Sequence, residues 1–271
     1  MKLSSKKFMR LWGGKSPPKA NAVIDESIEK VRLRIRNAAI RVGRDPKTIQ
    51  LIAITKSVPL ENIRQALALG VTDIGENRVQ EALAKFKILG TRDKGQGSRD
   101  KRQNDRATSS ESRATVFWHM IGHLQTNKVS DAVEIFDWIN SVDSLRLAER
   151  INKAAQKRNK VMPILIQVKL SDEKSKYGVT PDEVLELASA TESLKAIQVE
   201  GLMTMAPIVS DPDPARPYFR KLAKLRVQLR EQNPSLHYLS HLSMGMSQDF
   251  EVAIEEGATM VRVGSAIFHA S

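Results

Sequence analysis

Eight short runs rich in β-branched residues alternate with longer stretches of helical period along the 271-residue chain, and that alternation restricts the fold more than any other feature. The runs span 49–55, 71–75, 116–122, 135–142, 162–169, 197–203, 237–242 and 260–264. Helical patterning covers 59–69, 77–89, 125–133, 144–159, 181–191, 214–231 and 247–256, and several of these stretches open on Pro or on a capping Ser, Asp or Asn. The runs are apolar nearly throughout, as strands are when both faces are covered. A further amphipathic stretch precedes them: Val23, Ile24, Ile28, Val31, Ile35, Ala38 and Ala39 recur at helical spacing over 21–42, and Gly43 ends it. Count and length predict an α/β fold, a single (β/α)8 TIM-like barrel with an extra N-terminal helix. An open doubly wound sheet is the alternative, weakened because no G-x-G-x-x-G follows the first run.

The chain carries 43 Lys and Arg against 31 Asp and Glu, a formal charge of +12, which raises nucleic acid as a ligand class. Residues 1–20 hold six basic residues and no acid, and residues 90–115 hold seven against four, so the rest of the chain is near +3. Segment 90–115 has no Val, Ile, Leu, Met, Phe, Trp or Tyr and cannot bury enough apolar surface to offset its ordering entropy. We expect a disordered basic extension over 1–20 and a barrel domain over 21–271 with a disordered insert at 90–115. A nucleic-acid partner is disfavoured, because most of the excess charge sits in these two segments. Zero cysteines exclude a disulfide framework, cysteine-ligated zinc and a thiol nucleophile. No apolar run approaches the roughly 20 residues of a membrane span, and the first 20 residues lack the apolar stretch of a secretory signal. The expectation is a cytoplasmic chain with no membrane partner.

In such a barrel the chemistry collects where strands end and βα loops begin. The first run closes on Lys56. A lysine turned into a barrel mouth loses hydration, and desolvation with cationic neighbours favours the free amine that attacks an aldehyde. Alternatively the side chain runs out to water. The seventh and eighth runs lead into the corner where such barrels bind phosphate, and both loops are small and hydroxyl-rich: Ser243, Gly245 and Ser247, then Gly264 and Ser265. Ser247 equally suits a helix cap, and Gly264 a turn. Arg262 is either an ion-pair partner or a donor aimed at a ligand acceptor. An aldehyde-reactive lysine, a phosphate corner and an arginine donor match the needs of pyridoxal 5′-phosphate (PLP).

The segments LIAITK, IGENRVQE, WHMIGHLQTNK, INSVDS, SDEKSKYGV, GLMTMAP, LSMGMSQDFEVAI and VRVGSAIF occur in order at most of these strand ends. Over 23–268 the chain resembles the YggS/PROSC-type pyridoxal phosphate homeostasis proteins, the insert at 90–115 being the main departure. The resemblance implies a barrel of the alanine racemase N-terminal-domain type that holds PLP as a Schiff base on Lys56. It places Ser243, Ser247, Gly264 and Ser265 in phosphate-binding segments, Arg262 against the pyridine nitrogen, and Asn77 and His119 near the ring. A capping Asn and a core His are equally good readings of the last two. The implied role is a monomeric PLP carrier or regulator in vitamin B6 and amino-acid homeostasis without clear turnover, with PLP-dependent apo-enzymes as partners. The alternative is an amino-acid racemase of the alanine racemase type, which needs a second acid/base; Tyr177 is the candidate. Lys174 and Lys176 read as a basic lip for PLP transfer or as a solvated loop, and the four-residue His spacings carry no metal expectation.

Overall fold

The computed structural model describes residues 22–89, 116–171, 177–207, 211–236 and 238–269. The expected extension at 1–20, the insert at 90–115, Lys174, Lys176 and His237 lie outside the described residues. Eight parallel strands close into a barrel in sequence order: β1 (Gln50–Ile54), β2 (Asp73–Glu76), β3 (Phe117–Met120), β4 (Trp138–Val142), β5 (Met162–Gln167), β6 (Ile197–Met203), β7 (His241–Ser243) and β8 (Met260–Val263). The helices around it are α1 (Ala22–Arg41), α2 (Leu60–Ala68), α3 (Val79–Leu89), α4 (Val129–Ile135), α5 (Leu145–Gln156), α6 (Val184–Thr191), α7 (Arg216–Gln232), α8 (Phe250–Glu255) and α9 (Ser265–Phe268). Outward strand residues such as Ala53, Ile74, Trp118, Ile139, Ile164 and Leu242 share one apolar core with the helices. A separate cluster of Ile52, Trp138, Leu165, Met203 and Met260 fills the barrel interior.

Each expected strand and helix is present, with shifted ends. The seventh run, expected over 237–242, joins the sheet only at His241. Pro234 opens a 3-10 turn there, and the Leu236 carbonyl then takes the Leu239 N–H, which delays the extended backbone. The helix expected from residue 247 starts at Phe250, because the Asp249 carboxylate folds back to accept the Met246 N–H at 2.6 Å. In α1 the anticipated apolar face is buried except for Val23, which is half exposed. That helix packs on α8 and α9, and Arg34 reaches Glu251 at 2.7 Å while Arg41 reaches Glu255 at 2.8 Å.

Strand pairing sorts the interior into layers. Ile52 pairs with Asp73, His119 with Trp138, Leu165 with Gly201, and Ser243 with Met260, each step descending by about one residue, as barrel tilt requires. Likewise Gly75 pairs with His119, Met203 with Ser243 and Arg262 with Ile52. Alternate strands therefore supply three layers. The lowest holds Asp73, Trp138, Gly201 and Met260; the middle holds Ile52, His119, Leu165 and Ser243; the uppermost holds Gly75, Asn140, Met203 and Arg262. Polar groups at the lower end are satisfied among themselves. Asp73 accepts from Gln50 at 2.6 Å, from Thr72 at 2.7 Å and from His119 Nε2 at 2.9 Å.

Burial alone would raise the Asp73 carboxyl, but His119, Thr72 and Gln50 hold it below the ordinary carboxylate range. A carboxyl depressed in the folded state stabilises the fold above its unfolded pKa and loses that contribution as pH falls through its folded value. Asp73→Asn should therefore lower unfolding stability by about 1–2 kcal/mol at neutral pH. Denaturant unfolding of both proteins across pH should show the difference shrinking below about pH 4.

Candidate functional site

The C-terminal ends of the strands form the open mouth above the Gly75–Asn140–Met203–Arg262 layer. Lys56 stands at its edge, exposed on the turn that follows β1, with no hydrogen-bond or ion-pair partner among the described residues. The burial expected to activate this lysine is absent: its side chain runs out to water, the second of the two courses the sequence allowed. What is fixed is the backbone beneath it. The Thr55 N–H donates to the Gly75 carbonyl at 3.0 Å, the Val58 N–H returns to the Thr55 carbonyl at 3.1 Å, and Ser57 sits at φ 57°.

Arg262 projects inward from β8 and is 4% exposed. Its guanidinium donates to Ser243 Oγ at 2.7 Å and to the Thr204 carbonyl at 2.9 Å, so it is anchored on the β6–β8 side of the mouth. Burial drives its pKa down to about 10, opposed by the charge of Asp249, and the group remains a cation at neutral pH. The Asp249 carboxyl is in turn pushed up by burial, against the Met246 amide and Arg262, which pull it down. A simple ion pair does not describe Arg262, since its two hydrogen bonds end on neutral oxygens.

The loops after β7 and β8 are stitched together. Ser247 Oγ accepts from the Gly264 and Ala266 N–H groups, both at 3.3 Å, and the Arg262 N–H reaches the Gly245 carbonyl at 3.0 Å. Ser247 therefore does not cap α8; its hydroxyl occupies the point on which two main-chain donors converge. Such convergent amides suit an anionic oxygen. Gly245 has φ 91°, and a Cβ there would stand 2.8 Å from Phe250 Cα. Ser265 is exposed beside this corner and Gly264 is half-buried. Ser243 lies one layer down, fully buried, where it serves Arg262.

On the opposite side, Asn77 is half-buried on the bend after β2, and its backbone packs so closely on Gly122 that a Cβ there would lie 2.3 Å from the Asn77 carbonyl. His119 lies in the middle layer, tied to Asp73 and stacked on Trp138 at 5.8 Å between ring centres, as the core reading of this residue had it. Its Nδ1 has no partner among the described residues. Tyr177, the racemase candidate, is half exposed and stacks on His123 at 3.8 Å, and His123 pairs with Asp143 at 3.3 Å.

Sequence reasoning missed Asn140. This side chain is fully buried in the uppermost layer, across the barrel from Arg262, and neither its amide nitrogen nor its amide oxygen has a partner among the described residues. A fully buried amide with both ends unmet is costly unless something bound there completes it. Its position two residues after Trp138 on β4 was the available signal, because strand parity turns both inward.

Gly245→Ala should lower unfolding free energy by about 2 kcal/mol in chemical denaturation, since it adds a side chain at positive φ against the Phe250 backbone.

Comparison with known proteins gives the family and the fold. The family model "Alanine racemase, N-terminal domain" matches residues 29–271. A pyridoxal phosphate homeostasis protein of Aquifex aeolicus is 42% identical over 244 residues, covering 90% of this chain and 96% of that one. The protein of that name from Escherichia coli K12 is 36% identical over 253 residues, covering 91% and 96%. PipY of Synechococcus elongatus, solved with PLP bound, is 35% identical with a TM-score of 0.69, covering 87% of this chain and 99% of PipY. An alanine racemase of Clostridium difficile shares the fold alone, at 13% identity and a TM-score of 0.64, with 59% of its chain covered. The chain belongs to the alanine racemase N-terminal-domain family and, within it, to the pyridoxal phosphate homeostasis proteins.

Proposed function

We propose that this protein binds pyridoxal 5′-phosphate at the barrel mouth and holds it as a Schiff base on Lys56, serving vitamin B6 and amino-acid homeostasis as a carrier or regulator. The observation that carries the reading is the convergence of three groups on one mouth: the exposed amine of Lys56, the buried cation of Arg262, and the paired amides of Gly264 and Ala266 aimed at a single oxygen position. The unmet amide of Asn140 in the floor of the same mouth supports a polar occupant.

In this reading a phosphate oxygen takes the place of Ser247 Oγ on the Gly264 and Ala266 amides, and the displaced Ser247 hydroxyl and that of Ser265 donate to the phosphate. Gly245 lets that loop approach closely, and Ser243 keeps Arg262 in place. Arg262 donates to the pyridine nitrogen, and Asn77 lines the ring edge opposite the phosphate. His119 supports this floor from below through Asp73 rather than touching the ring. Lys56 Nζ adds to the aldehyde carbon, the aldehyde oxygen leaves as water, and a C=N bond replaces the C=O bond. Bound PLP supplies a reactive imine and an electron-withdrawing ring.

Arg262 sets the reactivity of the bound ring. A guanidinium cannot take a proton from the ring nitrogen, so the ring stays unprotonated and withdraws electrons weakly, which favours retention over carbanion chemistry. The racemase alternative needs a second acid/base facing the ring, and Tyr177 is engaged with His123 instead. Monomeric action and delivery to PLP-dependent apo-enzymes complete the proposal.

Purified protein mixed with PLP should develop an absorption band at about 420 nm, and Lys56→Ala should abolish it while leaving the thermal midpoint within a few degrees. A Lys56→Ala protein that keeps the band after dialysis contradicts the assignment.

A further inference from the structure

Lys56 is exposed and partnerless among the described residues, so its presentation rests on the turn that carries it. Directly beneath that turn lies a buried ionic cluster outside the barrel wall. Glu76, the last residue of β2, is fully buried, and Lys85 reaches it from α3 with its own side chain 13% exposed. Glu76 Oε1 accepts from Lys85 Nζ and from Thr55 Oγ1, both at 2.6 Å, and the same ammonium donates to the Thr55 carbonyl at 2.6 Å. Beyond their mutual contact, both side chains bond to Thr55, the residue before Lys56.

We propose that Glu76 and Lys85 are positioning residues that hold the Thr55–Lys56 peptide so that Lys56 meets the PLP aldehyde in one orientation. The inference rests on Lys56 being the lysine that takes PLP. The Thr55 carbonyl clamped by Lys85 also accepts the Val58 N–H, closing a turn in which Ser57 adopts φ 57°, a conformation that is strained for a residue with a Cβ. The clamp keeps that turn from relaxing. Stability alone is a poor reason for such a pair, because a buried ion pair is often no better than apolar residues of the same volume. Glu76 Oε2 has no hydrogen-bond partner among the described residues, so the pair is incompletely satisfied, which weakens a purely stabilising role further.

The test uses the double variant Glu76→Leu/Lys85→Met, which removes both charges together and leaves none stranded. Three quantities are measured: the thermal midpoint, competition by pyridoxine 5′-phosphate, which has the phosphate and ring but no aldehyde, and the rate at which the band at about 420 nm grows after mixing with PLP. A merely structural role moves the first. The positioning role predicts a midpoint within a few degrees of the parent, unchanged binding of pyridoxine 5′-phosphate and a capture rate at least about tenfold lower. Thr55→Val, which deletes the hydroxyl bond to Glu76 and the longer one to the Gly75 carbonyl at 3.4 Å while leaving both charges in place, should slow capture about fivefold and keeps the test decisive if the double variant fails to fold. A parental rate in either folded variant overturns the inference alone. No band in the parent overturns the reading of Lys56 and this inference with it.

Discussion

The pairing of the first strand with the last is the constraint on which the site depends. Four residue pairs, from Gln50 with Met260 to Ala53 with Val263, bring the two ends of the barrel sequence side by side. Lys56 leaves β1 just above this seam, and Arg262 and Gly264 leave β8 on its other side. A Cβ on Gly264 would stand 3.2 Å from Ile54 Cβ, so the two strand ends are packed nearly to contact. An amine and an anion cradle that lie some two hundred residues apart in the chain become neighbours only because the sheet closes.

Closure also explains the electrostatics of the mouth. Arg262 is carried into the interior by strand parity, where a cation is expensive to desolvate. Ser243 one layer below and the Thr204 carbonyl just past the end of β6 satisfy two of its donors, and Asp249 steadies its charge from behind the β7 loop. The result is a fixed, buried cation facing the mouth. Lys56 is the opposite case, an amine in water on a rigid turn.

Much of this was readable in the sequence. Alternating runs and helical stretches specified the barrel and its extra helix, because covered strands must be apolar on both faces. The hydroxyl-rich loops and Arg262 were legible as residues at the ends of β7 and β8, and the structure brings them together there. Other features had no local signal. Whether Lys56 turns inward or outward stays open in the sequence, since a lysine that closes an apolar strand suits either course, and the structure exposes it. Glu76 closes an apolar strand just as Lys56 does, yet its partner Lys85 lies nine residues on, in the next helix, and only the fold brings the two together. Asn140 was visible by parity but stood in a run that read as ordinary strand. Between the two readings of His119, the ring edge and the core, only the register of β3 against β2 and β4 decides.

Chemical trapping puts the Lys56 assignment at greatest risk. The protein is incubated with PLP, reduced with borohydride, digested and mapped by mass spectrometry. A stable phosphopyridoxyl group on Lys56 is expected, and its yield should fall in parallel samples that hold excess pyridoxine 5′-phosphate before the reduction. A label spread over surface lysines, or none at Lys56, would contradict the assignment.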